Sequence, residues 1–282
     1  MWTVSLLFHL VGNVGYNLLL RKSAVGKIDK WLLATILQTG ICIPAIVIAL
    51  FFRLHIPSYS PNDALLFVAT VLFVISFHFF NVKSLQYLEA SVYSVVYGAR
   101  ILTVSILGTL FLTEKLTPLQ LIGGLLIFCS VFIVRQGGTF EIKKIGLFFG
   151  FGTTIIIAFL TSCEKILYQH VGFLEYFVPL AVVCQIIMWT IVFIRRTKVS
   201  FSLLVKPVNL SLMGLRAMSA FGLSYSLIFG PIAISNYISS LGVVLTVGLG
   251  ALFLHERDFL KSKILAAFVA CIGLTLILFA KL

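Results

Sequence analysis

The chain has 282 residues, 60% hydrophobic and 11% charged, with a formal net charge of +12. Soluble domains are about 45–50% apolar and about 25% charged. Water-soluble, disordered and disulfide-scaffold readings are therefore excluded, and a polytopic membrane protein remains. The 21 Lys and Arg, against 9 Asp and Glu, mostly punctuate apolar segments. That is the pattern of membrane topology, so a lipid bilayer is the expected environment and nucleic acid is not an expected partner. Cys42, Cys129, Cys163, Cys184 and Cys271 stand singly in apolar stretches, without ligand spacing. They read as small core residues, and neither a metal nor a cofactor is expected. The N-terminus has no basic region and no small-residue cleavage site, so the first apolar run reads as a retained span.

A helix needs about 20 residues to cross the hydrocarbon core. In chain order, apolar runs bounded by charges or turn residues fall at 2–22, 31–53, 63–84, 90–113, 118–135, 144–166, 174–195, 207–230, 232–254 and 262–281. Ten spans leave short loops and no room for a sizeable soluble domain. The expected fold class is all-α integral membrane, with ten transmembrane helices. Thr117-Pro118-Leu119-Gln120 opens the fifth span with a cap, a proline at the first helical position and a glutamine three residues after the cap. Pro44 and Pro179 fall inside spans, where neighbours must satisfy the freed carbonyls. Pro231 separates spans eight and nine at a tight turn.

The sequence repeats. Leu107-Gly-Thr-Leu-Phe-Leu-Thr-Glu-Lys115 and Leu249-Gly-Ala-Leu-Phe-Leu-His-Glu-Arg257 are identical at six of nine positions, with an offset of 142. The same offset pairs Ser84-Leu85 with Ser226-Leu227, and Cys129 with Cys271. Each half, 1–136 and 144–282, then holds five helices. An odd number forces the halves into opposite orientations, an inverted repeat with its substrate site near the midplane. The competing explanation is a chance match of two Leu/Gly/Phe-rich helices.

Tyr87-Leu-Glu-Ala-Ser-Val-Tyr93 opening a helix, the Leu-Gly-x-Leu-Phe-Leu-x-Glu-[Lys/Arg] ending and a Gly123-Gly124 pair in the fifth helix together resemble the drug/metabolite transporter superfamily, EamA-like branch. The resemblance implies export or exchange of a small molecule (amino acids, metabolites, sugar phosphates, nucleotide sugars or drugs). It also implies a central cavity lined by helices 1, 3, 4, 6, 8 and 9, with helices 5 and 10 peripheral. Glu114 and Glu256, equivalent in the repeat, are read as pinning the following hairpin.

Fifteen Lys and Arg lie in the odd-numbered connections and four in the even connections and termini. The positive-inside rule places the odd connections in the cytoplasm and both termini outside, in a plasma or inner membrane. The resemblance usually implies both termini inside. We follow the charge count.

Arg100 and Arg216 lie inside spans four and eight. A charge at the bilayer centre costs about 2.5–3.5 kcal/mol, which makes each a functional candidate. All nine acidic residues sit at or near span ends, so no carboxylate shares the arginines' depth unless Glu89 or Glu164 bends inward. A guanidinium is a bidentate donor for carboxylate or phosphate, hence an expected substrate with negative charge. The alternative is that one or both arginines hydrogen-bond the carbonyls of a broken helix. Tyr93, Tyr97 and Arg100 share one face of span four, and His9, Asn13 and Asn17 form a polar stripe on span one. His78 and Asn81 follow on span three, Ser219, Ser224, Tyr225 and Ser226 on span eight, and Ser235, Asn236, Tyr237, Ser239 and Ser240 on span nine. The plainer alternatives are the interfacial aromatic belt for Tyr93 and Tyr97, interhelical hydrogen bonding without ligand contact for the stripe of span one, and a satisfied core histidine for His9 or His78. Gln38 and Gln185, on spans two and seven, are expected further from substrate. His9 or His78 could couple protons, while the lack of an embedded carboxylate argues against coupling through one.

The expected substrate-binding set is Arg100, Arg216, Tyr97, Tyr93, His9, Asn13, His78, Asn236, Tyr237 and Ser219. The expected function is secondary transport of a small anionic or zwitterionic metabolite by a monomer. One alternative is export of neutral or zwitterionic amino acids, with one arginine structural. Another, from a different class, is an intramembrane lipid-phosphate enzyme. That enzyme would need an acid/base or metal set, and no HExxH, aspartate cluster or Ser/His/Asp group is present, so the chain is not expected to be an enzyme. In a cysteine-free background, Lys198→Cys is expected to react with an impermeant maleimide only from the cytoplasmic side. Labelling from outside would reverse the orientation.

Overall fold

The computed structural model describes residues 2–52, 59–100, 103–104, 107, 117–136, 144–229, 232–254 and 260–279. Its helices are α1 (Trp2–Val25), α2 (Lys30–Phe51), α3 (Pro61–Tyr87), α4 (Ala90–Gly98), α5 (Pro118–Gln136), α6 (Lys144–His170), α7 (Phe173–Ile194), α8 (Pro207–Phe229), α9 (Ile232–Phe253) and α10 (Leu260–Phe279). One helical turn, Phe201–Leu204, precedes α8. No strand occurs among the described residues, in keeping with the all-α expectation. Four helices among them, α2, α3, α6 and α7, are long and apolar enough to cross a membrane by length and composition. Residues 108–115 of the first repeated nonamer and 255–257 of the second, Glu114 and Glu256 among them, lie outside the described residues, as does Pro231.

Local chemistry sets the helix starts. Asp29 accepts from the backbone N–H groups of Trp31 (3.0 Å) and Leu32 (3.1 Å), capping α2. Ser60 accepts from the N–H of Asp63 at 3.2 Å and donates to its carboxylate at 2.7 Å, with Pro61 in the first turn of α3. α5 starts at Pro118, where the capping pattern puts it. α6 runs on to His170, past the expected end at 166, and this lodges Glu164 well inside the helix.

The bundle turns its apolar side chains outward. On α1, Leu7, Phe8 and Val11 are 58%, 55% and 58% exposed, while His9, Asn13 and Asn17 are 3%, 7% and 2% exposed. A polar stripe that faces neighbours while leucines and phenylalanines face out is the arrangement of a helix whose solvent is lipid. α1 packs along α8, α3 along α6, α2 along α7, and α5 along α10.

Small residues let the backbones of α1 and α8 touch. A Cβ on Gly12 would lie 2.7 Å from the backbone N of Ser219, and one on Gly222 would lie 2.7 Å from the backbone N of His9. Both clashes are with main chain, which cannot swing away. The contact fixes the height of His9 against Ser219. Gly12→Ala and Gly222→Ala are each expected to lower stability by about 1–3 kcal/mol through overpacking. Gly214→Ala, on the same helix but with open space around its Cβ, should gain up to about 1 kcal/mol from helix propensity. Thermal unfolding of the three variants in detergent checks the ordering.

Candidate functional site

The α1–α8 seam starts a chain of directed hydrogen bonds. The backbone carbonyl of Ser219 can only accept, so His9 Nδ1–H donates to it at 2.7 Å. Nε2 of the neutral ring is then free to accept from the Ser239 hydroxyl, also at 2.7 Å. Arg100 Nη2 donates in turn to Ser239 Oγ. Its guanidinium carbon stands 4.4 Å from the centre of the Tyr97 ring. Arg100 is 3% exposed, so it faces neither lipid nor open space, and only its Nε is buried without a partner.

Arg216 differs. Its guanidinium carbon lies between two rings, 5.4 Å from that of Tyr16 and 5.3 Å from that of Phe77. Among the described residues it makes no hydrogen bond and no ion pair within 4 Å, and its Nε is buried and unpartnered. Cation–π contacts contribute about 0.5–2 kcal/mol each, whereas each unsatisfied buried donor costs about 1–3 kcal/mol. Two rings therefore do not satisfy a group that carries five N–H donors.

Arg216 lines a narrow cavity at the centre of the bundle, of about 60 Å³, together with His9, Asn13, Gln38, His78, Tyr97, Glu164, Ser219 and Ser224. That is room for a few waters and well below the roughly 300–1,000 Å³ of a typical ligand pocket. A metabolite enters only if the helices part. Gln38 donates from Nε2 to the carbonyl of Ala181 at 3.1 Å, which leaves its Oε1 to accept from His78 Nε2–H at 3.0 Å. Nδ1 of His78 has no partner.

Of the expected set, the structure brings Arg216, Tyr97, His9, Asn13, His78 and Ser219 together at the cavity. Arg100 stands behind Tyr97 and His9 instead of lining it. Tyr93 is fully buried and stacks on Tyr97 at 5.6 Å between ring centres, so it lies neither at an interface with headgroups nor at the cavity. Asn236 and Tyr237 lie on α9, but their side chains fall outside the described residues. One expectation needs correction, and one is sharpened. Gln38 was placed further out, yet α2 and α7 reach the cavity through it and through Phe177, Leu180 and Ala181. All nine carboxylates were placed at or near span ends, with Glu89 and Glu164 as the two that could bend inward; Glu164, 8% exposed, does line the same cavity as Arg216. The Glu164-Lys165 pair reads as the end of a span, but the helix continues beyond it. The i, i+7 spacing of Ile157 and Glu164 (both cavity-lining) was the available signal.

Family and shape can be compared with this geometry in view. Residues 2–136 match the model of the EamA-like transporter family. The N-terminal half, which carries α1–α5, is thus an EamA-like transporter domain, and the reading of the chain as a non-enzymatic, multi-pass membrane protein accords with it. No curated protein matches the sequence. A solved crystal structure of another protein superposes with a TM-score of 0.70 over 99% of this chain and 98% of that one, at 14% identity. The likeness is one of fold.

Ser239→Ala removes the middle of the relay and leaves both His9 Nε2 and Arg100 Nη2 without their shared partner. It is expected to cost about 1–3 kcal/mol, read as a lower unfolding temperature, whereas Ser239→Thr should keep the hydroxyl and most of the stability.

Proposed function

We propose that the chain is a secondary transporter, with ten spans in two inverted five-helix repeats (1–136 and 144–282), that moves a small anionic or zwitterionic organic metabolite by alternating access. The carrying observation is Arg216. Its guanidinium lines the central cavity with no hydrogen bond or ion pair among the described residues. A carboxylate or phosphate fits its donor fork. Tyr97, His9, Asn13, His78 and Ser219 would hold the polar body, with Asn236 and Tyr237 joining from α9. Arg100 and Tyr93 would position Ser239 and Tyr97. Small-molecule substrate and bilayer are the only partners invoked, and the odd connections face the cytoplasm as their charge dictates.

Two observations support the repeat. The packing α1–α8 is mirrored by α6–α3, α1–α9 by α6–α4, and α2–α8 by α7–α3, while α2–α7, α4–α9 and α5–α10 pair with themselves. The cavity wall also contains Val74 and Arg216, Phe77 and Ser219, His78 and Ala220, and Gln38 and Leu180, each pair separated by the offset of 142 found in the sequence. A site whose walls exchange under the repeat lies on the axis relating the halves, where both can open it alternately. A second reading, an amino-acid exporter with Arg100 structural, is favoured by the Arg100–Ser239 hydrogen bond.

Proteoliposomes containing the protein are expected to show counterflow of labelled gluconate, alanine or glycerol 3-phosphate. Arg216→Gln should raise the half-saturation concentration at least about tenfold, as loss of a charged hydrogen bond implies, with an unchanged elution profile. Wild-type transport by this variant would remove Arg216 from the site.

A further inference from the structure

Among the described residues, Glu164 is the ionisable group at the cavity that this function leaves unused. It projects from α6, is 8% exposed, and lines the same cavity as Arg216. Among the described residues its carboxylate accepts no hydrogen bond and forms no ion pair within 4 Å. Its electrostatic partner is Arg216 from α8. The other titratable groups about it are His9 from α1, His78 from α3, Tyr97 from α4, Tyr176 and Cys184 from α7, and Cys163 and Tyr168 on its own helix. None of these supplies a second positive charge while the histidines are neutral. His9 is held neutral by donating to a carbonyl and accepting from Ser239.

Among the described residues, the cavity wall therefore holds one positive and one negative group, joined by no direct bond. An anion that docks on Arg216 removes that balance and leaves two negative charges facing each other in a poorly solvated space. Something positive must arrive at Glu164 for the anion to stay. We propose that Glu164 is a proton-binding site facing Arg216, so that an anion taken up by Arg216 crosses the membrane together with one proton. The proton comes from water of the compartment to which the cavity is open, binds a carboxylate oxygen, and leaves to water on the other side with the anion. On uptake an O–H bond of hydronium breaks as the carboxyl O–H forms, and on release the reverse exchange returns the proton to water. The inference rests on the assignment of Arg216 above and deepens it.

Gluconate is the probe, because it crosses lipid poorly and does not titrate between about pH 5.5 and 8.5. In wild-type proteoliposomes an inward proton gradient of one pH unit is expected to drive accumulation of labelled gluconate up to about tenfold. Glu164→Gln should still exchange label, now at a rate independent of pH, and should not accumulate gluconate under the gradient. Glu164→Asp should restore accumulation, and Cys163→Ser, at the titratable neighbour of Glu164 on the same helix, should retain it. Accumulation by Glu164→Gln equal to wild type, or its loss in Cys163→Ser alone, overturns the inference and leaves Arg216 in place. A wild type that carries alanine or glycerol 3-phosphate but not gluconate overturns it too, and turns Glu164 into a site for an ammonium or other group. Undiminished transport by Arg216→Gln overturns the parent assignment instead.

Discussion

A guanidinium taken out of water must recover its hydration from dipoles or from an anion. The two arginines inside the spans meet that demand differently. Arg100 is held by the Ser239 hydroxyl and the face of Tyr97, with only its Nε left buried and unpartnered. Arg216 has rings on two sides and, among the described residues, no acceptor. Side chains of the same type thus take opposite parts, one behind the wall and one left open at it. The polar groups of the cavity are arranged around that difference.

The walls that hold Arg216 depend on backbone proximity. Gly12 and Gly222 let α1 and α8 meet main chain to main chain, which aligns His9 with the Ser219 carbonyl and thereby sets the ring's tautomer. That tautomer lets Ser239 donate to His9 and accept from Arg100. A relay in which every donor has one acceptor is rigid, because shifting any member leaves a buried group unpaired. The opposite seam, α3 against α6, carries groups of another kind: Phe77 and His78 on α3, and Glu164 on α6.

Positions separated by 142 residues contribute unlike chemistry to the cavity. Arg216 pairs with Val74, Ser219 with Phe77, His78 with Ala220 and Gln38 with Leu180. In each pair one member is polar and the other apolar, and the polar members come from both the N-terminal and the C-terminal parts of the chain.

Composition and the spacing of apolar runs determined the all-α class and, to within a few residues, where the described helices begin and end, except for α4, which ends at Gly98 and not at the expected 113. The reason is that membrane helices must hide their own backbone groups and face lipid with apolar side chains, and both demands are local. The stripe of His9, Asn13 and Asn17 was legible for the same reason, since helical periodicity alone puts those residues on one face. What neighbours do was not local. That Arg100 meets a hydroxyl while Arg216 meets only rings, that Gln38 reaches His78, and that α6 runs past residue 166 and carries Glu164 to the cavity all depend on which helices pack together and at what height. Pairing across helices far apart in the chain is set by shape, by two glycines and by a handful of directed hydrogen bonds. Only the assembled bundle decided it.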